Sequence, residues 1–136
     1  MNTDHSVGIY FFMKEYKIFL DDILIGTTNF EFADASMGVV YGKVNFIDIE
    51  NPYLFIKSFY LKNKTNFEHD DCEEFLTSQI QRFIKVYKDN NEELIGWGAY
   101  LSGLKDDFQI DFMGIKSDLM FAEFPHHVKQ YYGETD

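Results

Sequence analysis

The apolar positions near the start of the chain alternate with polar ones, as they do in β-strands. In "EYKIFLDDILIGTTNFEF", Tyr16, Ile18 and Leu20 fall on one face, and Asp21 and Asp22 interrupt the alternation. This pattern predicts a strand, a tight turn and a second strand. After the break "ADAS", the stretch "MGVVYGKVNFIDI" is β-branched and aromatic with two glycines, which predicts a bent or bulged third strand.

The pattern changes at "ENPYLFIKSFYLKNK", where several helix signals coincide. Asn51 is a favourable N-cap and Pro52 a favourable first helical residue, while Lys62 and Lys64 suit the negative end of a helix. These signals predict a helix of about three turns over residues 52–62. Its apolar side chains are predicted to pack in the core rather than to line a ligand site; they are Tyr53, Phe55, Ile56, Phe59 and Tyr60.

Three further stretches, "FLTSQIQRFIKVYKD", "ELIGWGAYLSGL" and "FQIDFMGI", are separated by polar turns and predict strands. The first also fits a helical period, so residues 72–88 stay open between strand and helix. The tail "SDLMFAEFPHHVKQYYG" has a possible N-cap at Ser117 and a break at Pro125, which predicts one or two short helices. The expected class is α+β, with a mostly antiparallel sheet of about six strands, one central helix and short C-terminal helices.

Length and composition predict a single folded domain over residues 1–136. The chain is long enough to bury one sizeable core, and 46% hydrophobic and 18% aromatic residues exclude a disordered chain. A single cysteine cannot form an internal disulfide, and the N-terminus "MNTDHSVGIYFFMKEYKIFL" lacks the basic start of a secretion signal. No apolar run approaches the length of a membrane span. A cytoplasmic location is therefore expected.

The charge balance indicates what the protein binds. Twelve basic residues against 23 acidic ones give a net charge of −11, and Arg82 is the single arginine. Nucleic-acid phosphates and anionic membranes repel such a surface, so direct binding to either is not expected. Long-range attraction favours a basic protein as the partner.

The densest acidic stretch, "EHDDCEE" at residues 68–74, invites interpretation as a metal site. One Cys72 beside one His69 does not supply the paired ligands of a zinc site, and the stretch lacks the central glycine of a calcium-binding loop. Cys72 is also expected to be a poor nucleophile, because five carboxylates and no basic residue other than His69 surround it in the sequence. We expect neither a metal nor a cofactor, and we interpret the stretch as a solvated or partner-binding loop.

The remaining acidic residues cluster in predicted turns beside aromatic residues, so that carboxylates could steer a basic protein and aromatic rings anchor it. The residues predicted to bind the partner are Glu68, Asp70, Asp71, Glu73, Glu74, Asp89, Glu92, Glu93, Asp106 and Asp107.

The stretches "YKIFLDDILIGTTNFEFADASMGVVYGKV", "IDFMGI" and "FAEFPHHVKQYY" resemble small bacterial immunity proteins of polymorphic toxin systems, of which contact-dependent growth inhibition is the best-known setting. The resemblance covers roughly residues 15–132. It implies a cytoplasmic protein without catalytic activity that binds a toxin domain, often a basic DNase or RNase, and occludes its active-site cleft. The shared positions are apolar residues and glycines, so the resemblance assigns no binding residue.

One alternative from another class stays open. A small-ligand-binding domain or hydrolase-type enzyme could use Asp111, His126 and His127 in one pocket, since neighbouring carboxylates and histidines can perform acid–base work. Pro125 removes the helical register between Glu123 and His127 that a metalloprotease motif requires. The two histidines are therefore predicted to diverge and to have structural roles.

Overall fold

Short strands are the most frequent regular elements of the described chain. The computed structural model describes residues 14–133, so most of the N-terminal segment considered above lies outside the described residues. In chain order the elements are β1 (Tyr16–Leu20), β2 (Ile23–Thr28), β3 (Phe32–Asp34), a 3₁₀ turn (Ala35–Met37), β4 (Val39–Lys43), β5 (Asn45–Phe46), α1 (Pro52–Lys62), β6 (Phe67–Asp70), β7 (Phe75–Ser78), β8 (Ile84–Tyr87), β9 (Gly98–Leu104), β10 (Asp107–Met113), α2 (Ser117–Glu123) and α3 (Pro125–Tyr132).

The strands form two antiparallel sheets. The smaller sheet has the order β5-β2-β1-β8, and the larger one has the order β3-β4-β10-β9-β7-β6. The predicted α+β class is confirmed. The expected number of about six strands matches the larger sheet alone, and the described residues form a second sheet of four strands that the sequence pattern did not predict.

The second sheet arises because two predicted strands are each divided between the sheets. Within residues 37–49, β4 pairs with β10 in the larger sheet, whereas β5 pairs with β2 in the smaller one. Residues 72–88, left open above, contain the strands β7 and β8 and no helix. β7 pairs with β9 in the larger sheet and β8 with β1 in the smaller, and residues 79–83 carry the chain between them.

The central helix α1 has the predicted boundaries. The side-chain oxygen of Asn51 accepts a hydrogen bond from the backbone N–H of Leu54 (3.1 Å), and Pro52 is the first helical residue. Tyr53, Ile56 and Tyr60 are buried, as predicted for core packing. Both the N-cap and the buried face of this helix are confirmed.

The C-terminal tail forms the two predicted short helices. Phe124 separates α2 from α3, and Pro125 is the first residue of α3. Ser117 was predicted as the N-cap of α2, which is wrong: Lys116 occupies the cap position and Ser117 is the first helical residue. None of the helices in the described range has both the length and the apolarity needed to cross a membrane.

The larger sheet has one covered and one open face. Its inner face contributes buried residues from several strands to the core: Val40, Leu76, Leu101, Phe108, Ile110 and Phe112. The side chains that alternate with them point the other way, and the described ones are exposed or partly buried. We call this second side the outer face.

Candidate partner-binding site

The acidic run forms a β-hairpin at the edge of the larger sheet rather than a loop. β6 pairs with β7, with Asp70 opposite Phe75, and residues 71–74 make the turn. A carboxylate oxygen of Asp70 accepts hydrogen bonds from the backbone N–H groups of Cys72 (2.9 Å) and Glu73 (3.3 Å). Asp70 therefore helps to shape the turn, an arrangement typical of Asp at the first position of a turn.

Asp71 has a second structural role. Its carboxylate accepts hydrogen bonds from the Lys57 ammonium group (2.7 Å) and from the Tyr53 hydroxyl group of α1. These hydrogen bonds, with that of Lys57 the stronger influence, lower the pKa of Asp71. Desolvation and then the hydrogen bond to Asp71 raise the pKa of Tyr53 to about 12. Asp71 is thus engaged within the protein and holds the hairpin against α1.

The hairpin brings two predicted acidic segments together. The carbonyl of Glu74 accepts a hydrogen bond from the backbone N–H of Lys105 (2.8 Å), which lies in the turn between β9 and β10. A cavity of about 230 Å³ is lined by Glu74, Lys105, Asp106 and the start of α1. We call the carboxylates gathered here the acidic end; they are Glu68, Asp70, Glu73, Glu74, Asp106 and Asp107.

Two apolar side chains lie between these carboxylates on the outer face. Phe75 and Leu104 face each other across β7 and β9, and their side chains are 38% and 45% exposed. Asp70 pairs with Phe75 on one side, and Asp107 pairs with Leu104 on the other. Four strands thus present a row that reads acid, apolar, apolar, acid.

The other predicted acidic residues lie elsewhere. Asp89, Glu92 and Glu93 follow β8, and Glu93 lines a cavity with Gly98, the first residue of β9. The acidic end adjoins Leu104, the last residue of β9. In a strand of this length, Gly98 and Leu104 lie about 20 Å apart. The predicted binding residues therefore form two groups at opposite ends of one strand.

The residues after β8 also have partners within the protein. Glu92 forms an ion pair with Lys88 (3.3 Å), and Glu93 one with Lys85 (3.8 Å). Surface pairs of this kind contribute little stability, yet they reduce the negative charge that this end presents. The acidic end is the better candidate for a partner-binding surface.

The residues of the enzyme alternative do not share a pocket. Asp111 lies on the outer face of β10, because its neighbour Ile110 is buried in the core. His127 is buried on the core side, where its Nε2 lies 2.8 Å from the carbonyl oxygen of Phe30. The sheet itself separates this histidine from Asp111.

The two histidines were predicted to diverge, and this is wrong. Both belong to the first turn of α3, and their ring centroids are 4.1 Å apart. Burial is the main influence that lowers the pKa of His126, and the charges of His127 and Lys14 add to it. The hydrogen-bonded core position of His127 agrees with the predicted structural role.

The acidic run shows no geometry for metal binding. Cys72 is exposed, and Nε2 of His69 lies 3.9 Å from the Asp71 carboxylate that Lys57 already occupies. Over residues 14–133, no three His, Cys, Asp or Glu side chains are grouped so that they could hold a metal ion.

Sequence reasoning missed an aromatic cluster around Asp111 on the outer face. Asp111 lies directly opposite Tyr41 of β4 and Tyr100 of β9, and Tyr41 stacks on Phe32 with ring centroids 5.5 Å apart. Gln109 donates a hydrogen bond to the Asp111 carboxylate (2.8 Å). The available signal was the alternation of "IDFM", which places Asp111 outside the core, but the two flanking tyrosines are brought there by strand register alone.

Burial changes the ionisation of this cluster. Desolvation raises the pKa of Asp111, and the hydrogen bonds from Gln109 and then Tyr100 offset only part of that effect. Desolvation and then the negative charge of Asp111 raise the pKa of Tyr100. Asp111 is partly buried, whereas the carboxylates of the acidic end are exposed except for Glu74.

Comparisons with protein-family models, with curated proteins and with solved structures return no match to this chain.

Proposed function

We propose that the protein is a cytoplasmic immunity protein that binds a basic toxin domain, a nuclease in the favoured case, and occludes its active-site cleft. The observation that carries the proposal is the acidic end with its row from Asp70 through Phe75 and Leu104 to Asp107. This surface combines negative charge with exposed apolar side chains, whereas an acidic surface that serves solubility alone needs no apolar centre.

Charge complementarity supports a basic partner. The net charge of −11 attracts a cationic protein over long distances, and the carboxylates of the acidic end focus that attraction on one surface. A nuclease cleft holds phosphates with lysine and arginine side chains, which carboxylates can also pair. A protein that places carboxylates in this cleft blocks it without performing any chemistry.

Apolar contact gives a complex a long lifetime, which electrostatic attraction alone does not. Steering by charge mainly raises the rate of association, while the lifetime of a complex depends on a desolvated centre of apolar and aromatic contacts. Phe75 and Leu104 lie where such a centre is needed, since Asp70 and Asp107 flank them. The expected interface therefore has an apolar core and an acidic rim.

The test uses the toxin domain encoded beside this protein's reading frame in the native host, assayed as a nuclease. The first variant combines Glu68→Gln, Glu73→Gln, Glu74→Gln and Asp106→Asn, and it leaves the structurally engaged Asp70 and Asp71 intact. The control variant combines Glu15→Gln, Glu92→Gln, Glu93→Gln and Asp89→Asn, and it makes the same chemical changes at the other end of the molecule.

The wild-type protein should abolish nuclease activity at a one-to-one ratio. The acidic-end variant should inhibit roughly 30-fold more weakly or worse, as expected for charges that pair across an interface, whereas the control should stay within a few-fold of wild type. Equal weakening in both variants would mean that overall charge rather than this surface matters. Full nuclease activity in the presence of excess wild-type protein would refute the proposed function.

A further inference from the structure

Asp111 is an uncommon carboxylate for an open sheet face. It is partly buried, it lies between two tyrosines, and it forms no salt bridge with a residue in the described range. A carboxylate that has lost water without gaining a cation is stabilised when a cation arrives. The site is therefore suited to receive positive charge from outside the chain.

The surroundings favour one kind of cation. Cross-strand neighbours have Cβ atoms about 5 Å apart, so Tyr41 and Tyr100 flank the Asp111 carboxylate on both sides. A guanidinium group is planar, stacks on aromatic rings and pairs with a carboxylate through two parallel hydrogen bonds. An ammonium group is more strongly hydrated and pairs as a point charge. The combination of a carboxylate and two tyrosines matches arginine.

We infer that Asp111, between Tyr41 and Tyr100 on the outer face, receives the guanidinium group of an arginine from the basic partner. This inference rests on the proposed function and specifies which side chain of the toxin the sheet recognises. The negative charge of the outer face is consistent with this inference. The strand register places one basic side chain, Lys43, on the strands of this face, and it also points five acidic side chains outward: Asp34, Glu68, Asp70, Asp107 and Asp111.

Each carboxylate oxygen accepts up to two hydrogen bonds, so the bonds from Gln109 and from the Tyr100 hydroxyl group still leave capacity for a bidentate contact. Gln109 also holds the carboxylate in position before the partner arrives. Such pre-organisation reduces the entropy lost on binding.

The inference is tested first with a small probe, because this measurement does not require the toxin. The ¹⁵N-labelled protein is titrated with Nα-acetyl-arginine-N-methylamide, with the citrulline analogue as the uncharged isostere and with the lysine analogue as the alternative cation. The arginine probe should shift the amide signals around Tyr41, Tyr100 and Asp111, and the citrulline probe should not. The lysine probe should bind at least several-fold more weakly.

Asp111→Asn should remove these shifts, while Asp34→Asn, an equal charge change on an exposed residue of the same face, should preserve them. Arginine-induced shifts that persist in Asp111→Asn, or that centre on the acidic end, would overturn the inference. Equal affinity for the arginine and lysine probes would overturn the assignment of a guanidinium group.

A second measurement separates this inference from the proposed function. Asp111→Asn should weaken inhibition of the toxin nuclease at least tenfold, with Asp34→Asn unchanged. If the wild-type protein inhibits the toxin but the arginine probe does not bind at Asp111, the inference fails and the proposed function stands. If the probe binds at Asp111 but the toxin is not inhibited, the proposed function fails and the arginine site stands.

Discussion

At the scale of single residues, Gly114 has a backbone conformation that favours glycine. Its φ of +80° lies in the left-handed region, and the ring of Trp97 packs where a Cβ atom would stand. Gly114→Ala should lower the free energy of unfolding by about 1–3 kcal/mol, because the substitution strains the backbone and displaces the ring. Urea denaturation followed by fluorescence measures this directly, since Trp97 is the single tryptophan.

The variant Gly133→Ala separates the effect of backbone strain from the effect of displacing the Trp97 ring. The φ of Gly133 is +83°, yet no atom of residues 14–132 lies within 4 Å of the position that a Cβ atom would take, its chain neighbours aside. Gly133→Ala should therefore cost only the backbone strain, about 1 kcal/mol or less at a chain end. Equal losses in the two variants would show that the contact with Trp97 contributes nothing.

Asp111 should make the stability of the protein depend on pH. Because its folded-state pKa is raised above 3.8, the folded state binds the proton more tightly than the unfolded state. Stability is then lost as the pH rises from about the unfolded pKa through the raised folded pKa. Asp111→Asn should remove this loss, so that it is more stable than wild type at pH 7, on the order of 0.5 kcal/mol.

The stability difference should disappear below the unfolded pKa, where wild-type Asp111 is protonated in both states. Urea unfolding at a series of pH values measures the difference between the two proteins. A difference that does not change with pH would contradict a raised pKa at this residue.

Residue-level signals were reliable where the cause is local. Asn51 and Pro52 predicted the start of α1 because capping and the fixed proline φ act within one turn. The environment of Asp111 was not predictable, because Tyr41 and Tyr100 lie on two other strands. Sequence gives the alternation of a strand but not the identity of its neighbours.

At the scale of elements, the β6–β7 hairpin is attached to α1 through Asp71. Lys57→Met keeps the aliphatic stem of the side chain but removes the charge that pairs with Asp71. The turn should then open more often, so amide hydrogen exchange at Cys72 and Glu73 should accelerate by a factor of about 2 to 5. Exchange in the middle of α1 should not change.

Lys62→Met is the matched control, because it makes the same change at an exposed position of the same helix. It should leave exchange in the hairpin turn at the wild-type rate. Acceleration of equal size in both variants would mean that the general charge of α1, rather than the pair with Asp71, governs the turn.

The elements that were predicted correctly are those defined by neighbouring residues. The β1–β2 hairpin turns at Asp21, whose φ of 54° lies in the left-handed region that aspartate tolerates. The sequence pattern did not predict that residues 37–49 and residues 72–88 each contribute strands to both sheets. Strand partners far away in the sequence decide to which sheet a strand belongs. A bend within one strand and a crossing from one sheet to the other produce the same local sequence pattern.

At the scale of the whole molecule, composition favours a basic partner but does not indicate which acidic surface would bind it. The ten predicted carboxylates look equivalent in sequence, yet the fold places seven near the end of β9 at Leu104 and three near its start at Gly98. Hydrogen bonds within the protein then engage Asp70 and Asp71. Only the tertiary arrangement distinguishes a steering charge from a structural one.

The kinetics of complex formation should separate overall charge from local contact. The acidic-end and control variants defined above each lose four negative charges, so both should associate with the toxin more slowly than wild type at low salt. All three association rates should fall as the screening length shortens from about 30 Å at 0.01 M salt to about 8 Å at 0.15 M. Dissociation should be faster only in the acidic-end variant, because in the proposed complex only its charges lie against the partner. Stopped-flow and surface plasmon resonance measurements give both rates, and an association rate indifferent to salt would contradict electrostatic steering.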